Sequence, residues 1–252
     1  MKTSIELNPE YERLRPFVER IPSAFEREGT TIYHLRNEIK VMTAPDGTLV
    51  NVKRYHRPRG LNEWIYSLGL RKAKVERAYQ YAEILARKGI RTPVAMAMIE
   101  ERSGLGLLNF SYLVSEQLDW GHTLYEFGNA VEGEYEEMAL ALARYAAHMH
   151  DQQVLHKDFT PGNVLWRKTP SGYDFAVVDI NRMYFGKVGE RQGLLNLKKF
   201  WGPKRFVELL VREYSRIRGF DEDRAVDLVL SARARFWKRY QRKHQVPFKL
   251  EF

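Results

Sequence analysis

The sequence predicts an α+β chain in two parts, a small antiparallel β-sheet lobe with one long helix followed by a larger, mainly helical lobe. Three observations predict it. Strand texture dominates the first third, where β-branched or alternating runs flank a Pro45-Asp46-Gly47 turn signal. Wherever the chain is rich in helix formers, apolar residues fall at i, i+3, i+4 spacing. The texture then changes around Leu118 to Gly121, which sets the predicted division at 1–117 and 118–252. With 252 residues, each part is long enough to enclose a core.

Taken in order, "TTIYHL", "EIKVMTA" and "TLVNVKRYH" predict three antiparallel strands. From Asn62 to Lys88 the spacing of Val75, Ala78, Tyr79, Ala82 and Leu85 predicts a helix stopped by Gly89. "VAMAMIEE" and "FSYLVSEQL", separated by "RSGLG", add two strands, so the first lobe should hold five strands and one helix. Past the division, Tyr135, Met138, Leu142, Tyr145 and Met149 line one helical face. "NVLW" and "DFAVVDI" predict a short hairpin across Thr169-Pro170-Ser171-Gly172. From Leu194 onward the pattern is helical, with Phe206, Leu209, Leu210 and Ile217 in phase before Gly219.

Composition narrows the function classes. No stretch approaches the roughly 18 consecutive apolar residues of a spanning helix. Acids in "MKTSIELNPEYERL" argue against a secretory signal, so a cytoplasmic location is expected. The absence of cysteine excludes disulfides and Cys-based metal sites. A net charge of +9 points either to an anionic partner or to plain solvated surface. It concentrates in "SARARFWKRYQRKH", where Arg233, Arg235, Lys238, Arg239, Arg242 and Lys243 surround Phe236, Trp237 and Tyr240. Two readings stand side by side there: a helix with Phe236 and Tyr240 in the core and its charges in water, or one lying against an anionic membrane. No nucleic-acid reading motif accompanies the charge, so no nucleic-acid partner is expected.

Chemistry first shows in the third strand. Val50 and Val52 share one face of it, Asn51 and Lys53 the other. A lysine held between apolar neighbours can reach phosphate oxygens, although a strand lysine by itself is usually a solvated edge residue. Glu76 on the following helix, or Glu83 further along, can answer it; Glu76 can equally pair with Lys72 or Arg77 on its own helix. In "VLHKDFTPGNVLW", Asp158 precedes Asn163 by five residues, and Asp179 follows the apolar run Phe175 to Val178. An acid at the end of a buried strand is costly unless it is paired or bound to metal. Asn163 and Asp179 offer hard oxygen ligands for Mg²⁺, and Asp158 is at hand to accept or orient the proton of an attacking hydroxyl.

His156-Lys157-Asp158-Phe159-Thr160-Pro161-Gly162-Asn163 resembles the H-R-D-x-x-x-x-N loop of the protein-kinase-like fold, with Asp179 in the place of the D-F-G aspartate and Lys53 in that of V-A-I-K. Asp179-Ile180-Asn181-Arg182, "GIRTPVAMAMIEE" and "SYLVSEQLDWGHTL" are similar to bacterial lipopolysaccharide core kinases of the Kdo/heptose type, InaA-like proteins included. The resemblance covers about residues 29 to 200 and implies a two-lobed, protein-kinase-like fold with a nucleotide-binding N-terminal lobe. It implies an ATP- and Mg²⁺-dependent kinase acting on a sugar hydroxyl, most specifically a Kdo or heptose of a lipopolysaccharide core. In that reading Asp158 is catalytic and Asn163 and Asp179 hold Mg²⁺. Lys53, Glu76, Glu116 and Leu118 bind ATP. His156 braces the loop, and Arg182 steadies the metal loop or contacts an anionic acceptor.

A peripheral site at the inner face of the inner membrane suits such a glycolipid acceptor. Three departures separate the chain from protein kinases. The Leu35-Arg36-Asn37 turn lacks G-x-G-x-x-G, leaving Arg36 and Asn37 as candidates to replace its backbone cradle. Thr160 stands two residues after Asp158, where serine/threonine kinases usually carry lysine, and no A-P-E follows Asp179. An atypical protein kinase and a nucleotide-binding pseudokinase are the alternatives; the full set of Lys53, Asp158, Asn163 and Asp179 weighs against the latter.

Overall fold

In the computed structural model, which describes residues 1–58 and 60–251, the chain divides into two compact units, Met1–Asp119 and Trp120–Phe252. The first is built on a six-stranded antiparallel sheet of β1 (Lys2–Leu7), β2 (Thr30–His34), β3 (Glu38–Thr43), β4 (Leu49–Tyr55), β5 (Ala95–Arg102) and β6 (Leu108–Glu116), in the order β1-β5-β6-β4-β3-β2. Five strands stand where the sequence predicts them. The sixth, β1, pairs along β5 from Lys2↔Arg102 to Leu7↔Ala97. It is an edge strand with mostly exposed side chains, so it carries little of the apolar alternation that marks a strand.

Alternation along β4 gives the sheet two cores. On one face Val50 and Val52 pack with Ile99, Tyr112 and Val114 against Phe17, Val18 and Ile21 of helix α1 (Arg15–Ala24) and against Phe25. Sequence reading passes over α1 because Pro22 lies inside it and removes one intrahelical donor. The packing outweighs that loss, since burying one such aliphatic or aromatic side chain stabilises by roughly 1.5–3 kcal/mol. On the other face Tyr55, Ala73, Val75 and Leu108 form a second core with Met98 and Leu113. The single helix predicted from Asn62 to Lys88 is instead two, α2 (Leu61–Ser67) and α3 (Lys74–Arg87). Only α3 has the buried stripe, in Val75, Ala78, Ala82 and Leu85.

The second unit contains α4 (Glu136–Asp151), α5 (Glu190–Asn196), α6 (Lys204–Arg218) and α7 (Glu222–Gln241), with α4 packed on α6 and α6 on α7. Phe206, Val207, Leu210, Val211 and Tyr214 form the buried face of α6. Ile217, placed in phase with that face by the sequence, is 39% exposed because the last turn of α6 runs past the packed region. Two small antiparallel sheets complete the unit. One joins the predicted hairpin, β9 (Val164–Thr169) and β10 (Gly172–Val177), to β7 (His122–Thr123); the other pairs β8 (Val154–His156) with β11 (Met183–Phe185). β7, β8 and β11 span two or three residues each, too short for any periodicity to announce them. After α7 the chain is no longer helical, contrary to the helical reading of the whole C-terminal third. Phe248 instead packs at 4.5 Å on Trp201, and the Lys249 N–H donates to Asn129 Oδ1.

Candidate active site

The turn after β8 is built from the inside out. β8 is wholly buried, and its pairing with β11 sets His156 opposite Met183. The His156 ring has no exposure, and both of its nitrogens are used locally. Nδ1 accepts the Asp158 N–H at 3.1 Å, so the proton sits on Nε2, which donates to the Val178 carbonyl at 2.9 Å. Burial holds its pKa down, against the opposing pull of Val178, Asp179 and Asp158. A neutral His156 therefore clamps the backbone at Asp158 to the backbone just before Asp179.

Hairpin register does the rest. Val164↔Val177 pairing runs on into a Val178 N–H to Asn163 carbonyl bond of 3.0 Å, which seats Asn163 one residue from Asp179. Asn163 Nδ2 donates to the Asp158 carbonyl at 2.9 Å, turning its Oδ1 away from that bond. β10 ends at Val177, so Asp179 lies just beyond the strand rather than closing it as the sequence suggested. It takes the left-handed conformation, φ 55°, uncommon for a residue other than glycine, and its Oδ1 accepts from Asn181 Nδ2 at 2.9 Å. The next residues form a single 3-10 turn, Ile180–Arg182. Gly162 is required by close approach: a Cβ there would collide with the Tyr125 ring.

The Asp158 carboxylate, partly exposed, meets two cations. Lys199 Nζ donates to Oδ1 at 2.6 Å, and Arg182 Nη1 stands 3.8 Å from Oδ2. Beneath them runs a buried polar relay. Asn196 Nδ2 donates to the His156 carbonyl at 3.0 Å, and its Oδ1 therefore accepts from His150 Nε2 at 3.2 Å. That leaves His150 Nδ1 to accept the Tyr214 hydroxyl at 2.8 Å. Burial pushes the His150 pKa down to about 4, and Asn196 opposes it only in part. Gly193 leaves room for the Tyr214 hydroxyl, which a Cβ would meet head-on.

In the first unit, Lys53 pairs with Ile39 and Leu113 in the sheet, so its side chain lies on the face that carries Leu113 and α3, with Nζ 5.2 Å from the Tyr55 ring centre. Glu76 is on α3, hence on that same face, and meets Lys72 at 3.4 Å and the Gln80 amide at 3.3 Å. Glu116 ends β6, with its carboxylate accepting from Arg91 at 3.0 Å and from the Val94 N–H at 3.3 Å. Leu118 is buried two residues on, and its carbonyl accepts from Gln117. At the β2–β3 turn Asn37 Oδ1 accepts the His56 N–H at 3.3 Å, while Arg36 is exposed.

Thus His156, Asp158, Asn163, Asp179 and Arg182 come together on one unit, and Lys53, Glu76, Glu116 and Leu118 lie on the other. Sequence reading missed Lys199, Asn196, His150 and Tyr214. Asn196, Lys199 and Tyr214 stand 38, 41 and 56 residues after Asp158, so no local spacing connects them to the loop; His150 is in the last turn of the helix just before it. The only cue is polarity inside apolar periodicity, as at His150 among Ala146, Ala147 and Met149.

Residues 28–201 match the model of the lipopolysaccharide kinase (Kdo/WaaP) family. No curated protein matches the chain. Among solved structures, "WaaP in complex with acyl carrier protein" is similar over 94% of this chain and 99% of that one, at 19% identity and a TM-score of 0.61, which shows a shared fold. The Rio2 kinase from Chaetomium thermophilum, solved as an ADP/Mg²⁺-phosphoaspartate complex, aligns over 92% of this chain and 78% of that one, at 13% identity and a TM-score of 0.49. With its antiparallel sheet unit and mainly helical unit, the chain has the protein-kinase-like fold, and it belongs to the lipopolysaccharide kinase (Kdo/WaaP) family of kinases.

Proposed function

We propose that this kinase moves the γ-phosphoryl group of ATP to a hydroxyl of a Kdo or heptose residue in a lipopolysaccharide core, with Mg²⁺ as cofactor. The reading is supported above all by the turn that joins Asp158, Asn163 and Asp179 through the His156 clamp and the hairpin register. Asp158 aligns the acceptor hydroxyl and takes its proton. Lys53, with Glu76 on the same sheet face, engages the α and β phosphates. Glu116 and Leu118 meet the base through main-chain groups, since the Glu116 carboxylate is already engaged by Arg91 and Val94.

Asn163 and Asp179 suit Mg²⁺, because both offer hard oxygens and the Asn163 amide nitrogen is committed elsewhere. No cluster of three or more His, Cys, Asp or Glu able to hold a metal occurs among the described residues. Mg²⁺ is commonly held by one or two side chains plus substrate phosphates. When bound, Mg²⁺ supplies charge neutralisation on the phosphates; alignment of the acceptor and removal of its proton remain with the protein.

The test is transfer of label from [γ-³²P]ATP in the presence of Mg²⁺, with and without purified core lipid. Label should enter the lipid. Asp158→Asn should lower turnover by about 10²–10⁴ while nucleotide binding persists, and Asp179→Asn should weaken Mg·ATP binding itself. Label that enters protein and never lipid would identify a protein kinase instead, and full turnover by Asp158→Asn would remove its assigned role.

A further inference from the structure

Among serine/threonine kinases the position two residues after the catalytic aspartate carries a lysine, and here it is Thr160. Thr160 is in extended backbone, φ −127° and ψ 157°. Threonine at this position has neither the charge nor the length of that lysine. The cation is nevertheless present next to Asp158. It comes from Lys199, 41 residues after Asp158, as the 2.6 Å bond to Oδ1.

That bond is not a loose surface pair. Lys199 ends a 3-10 turn, Leu197–Lys199, flanked by two side chains with no exposure, Leu197 and Phe200. The segment is fastened to the catalytic turn at three successive points. Asn196 Nδ2 bonds the His156 carbonyl, Lys199 bonds Asp158, and the Phe200 ring meets Phe159 edge-on at 4.9 Å. Phe236 of α7 lies 6.0 Å from the ammonium on another side. The two side chains remain partly open, Lys199 at 23% and Asp158 at 28% exposure, so a substrate group can touch both.

Charge counting shows what the ammonium is left to do. One carboxylate faces two cations, Lys199 and Arg182, so the cluster carries a net positive charge beside the group that receives the acceptor hydroxyl. An ammonium has three N–H donors, and the bond to Oδ1 uses one. We propose that Lys199 is a catalytic residue of the transfer, supplying from outside the loop the cation that Thr160 cannot: it holds Asp158 Oδ1 and donates a second N–H to the phosphoryl group in flight.

The step balances without a further reagent. The acceptor oxygen attacks the γ-phosphorus, the bond from that phosphorus to the β–γ bridging oxygen breaks with its electron pair leaving on ADP, and the hydroxyl proton passes to Asp158. Negative charge spread over the equatorial phosphoryl oxygens is what a cation at Lys199 stabilises. The inference rests on the reading of the protein as an ATP-dependent kinase given above.

Because the chain has no cysteine, Lys199→Cys introduces its sole thiol, and the ammonium can be removed and chemically restored at one site. The assay is ATP hydrolysis in Mg²⁺ without acceptor, alongside lipid phosphorylation, with nucleotide affinity and melting temperature measured on the same samples. Lys199→Cys capped with iodoacetamide should lose about 10²–10³ in kcat, with the KM for ATP changed less than about threefold. Alkylation with 2-bromoethylamine, which rebuilds an ammonium on a stem of lysine length, should recover at least about tenfold of the loss.

A capped variant within threefold of wild type, or equal rates for the two alkylated forms at equal melting temperature, would overturn the assignment while leaving the kinase reading intact. Wild-type protein that neither binds nor turns over ATP would overturn both.

Discussion

At Asp158 the backbone is held by the chain next to it, and the carboxylate meets cations that come from further along, Arg182 and Lys199. His156 and Asn163 hold that backbone through bonds that span two and five residues; "HKDFTPGN" singles out both residues, His156 as a brace of the loop and Asn163 as a metal ligand. Lys199 reaches the carboxylate across 41 residues, and nothing near Asp158 in sequence announces it. His150 is close in sequence, yet its role is equally unannounced. It looks like one more residue on the inner face of α4, yet it is the middle of the relay from Tyr214 to Asn196.

Its protonation gives a residue-scale prediction. Burial lowers the folded pKa to about 4 from the 6.5 of an exposed histidine, so the contribution of neutral His150 is fully present above pH 6.5. As pH falls from 6.5 towards 4 the unfolded chain takes up a proton that the folded chain refuses, and stability drops. The full loss is on the order of 3 kcal/mol. Melting temperature measured across pH 7.5 to 4 should therefore fall in that window, with His150→Gln flatter than wild type; identical slopes would show that His150 does not titrate as described.

At the scale of elements, α7 shows how a basic helix is divided between inside and outside. Arg233 is buried, and its guanidinium donates to the Phe200 carbonyl at 3.2 Å, to the Gly202 carbonyl at 3.0 Å and to the Glu251 carbonyl. Burial lowers its pKa to about 10, which still leaves it charged near neutrality. It thereby ties three chain segments together, among them the stretch that follows Lys199. Arg233→Met keeps the length of the stem but leaves those carbonyls without their donor, and each buried unsatisfied group costs about 1–3 kcal/mol. A loss of roughly 2–5 kcal/mol in denaturant midpoint experiments is expected for the mutant. A change under about 0.5 kcal/mol would show that water replaces the guanidinium at no cost.

The same helix corrects the sequence reading of its aromatics. Trp237 is the buried anchor, Tyr240 is 38% exposed and Phe236 is intermediate, so of the two sequence readings the one that puts Phe236 and Tyr240 in the core has the wrong aromatics inside. Helical periodicity identifies α7 correctly. It cannot say which side of a helix with aromatics on two faces turns inward, because the C-terminal segment that carries Phe248 supplies the surface Trp237 packs on.

For the whole molecule, the excess of nine positive charges is not neutralised within α7. Arg235, Lys238, Arg239, Arg242 and Lys243 are exposed at its end, next to the exposed Tyr240. No helix among the described residues is long and apolar enough to cross a membrane. Basic side chains near an anionic bilayer contribute about 1 kcal/mol each at low ionic strength. The protein should therefore sediment with vesicles containing phosphatidylglycerol in low salt, be released by about 0.5 M salt, and lose most binding when Arg239, Arg242 and Lys243 become glutamine. Equal partition onto neutral phosphatidylcholine vesicles would refute an electrostatic membrane contact.

The sequence by itself determined the strand-rich first unit and helical second unit, the 163-to-178 hairpin, and the loop from His156 to Asn163 with Asp179 after it. These are legible because they depend on periodicity, turn chemistry and short spacings, which are local properties of a chain. Tertiary structure alone decided the edge strand β1, the packing of α1 despite Pro22, the break between α2 and α3, and the arrival of Lys199 at Asp158. Each of those depends on a surface assembled from distant segments, and the free energy that selects it is gained only when those segments meet.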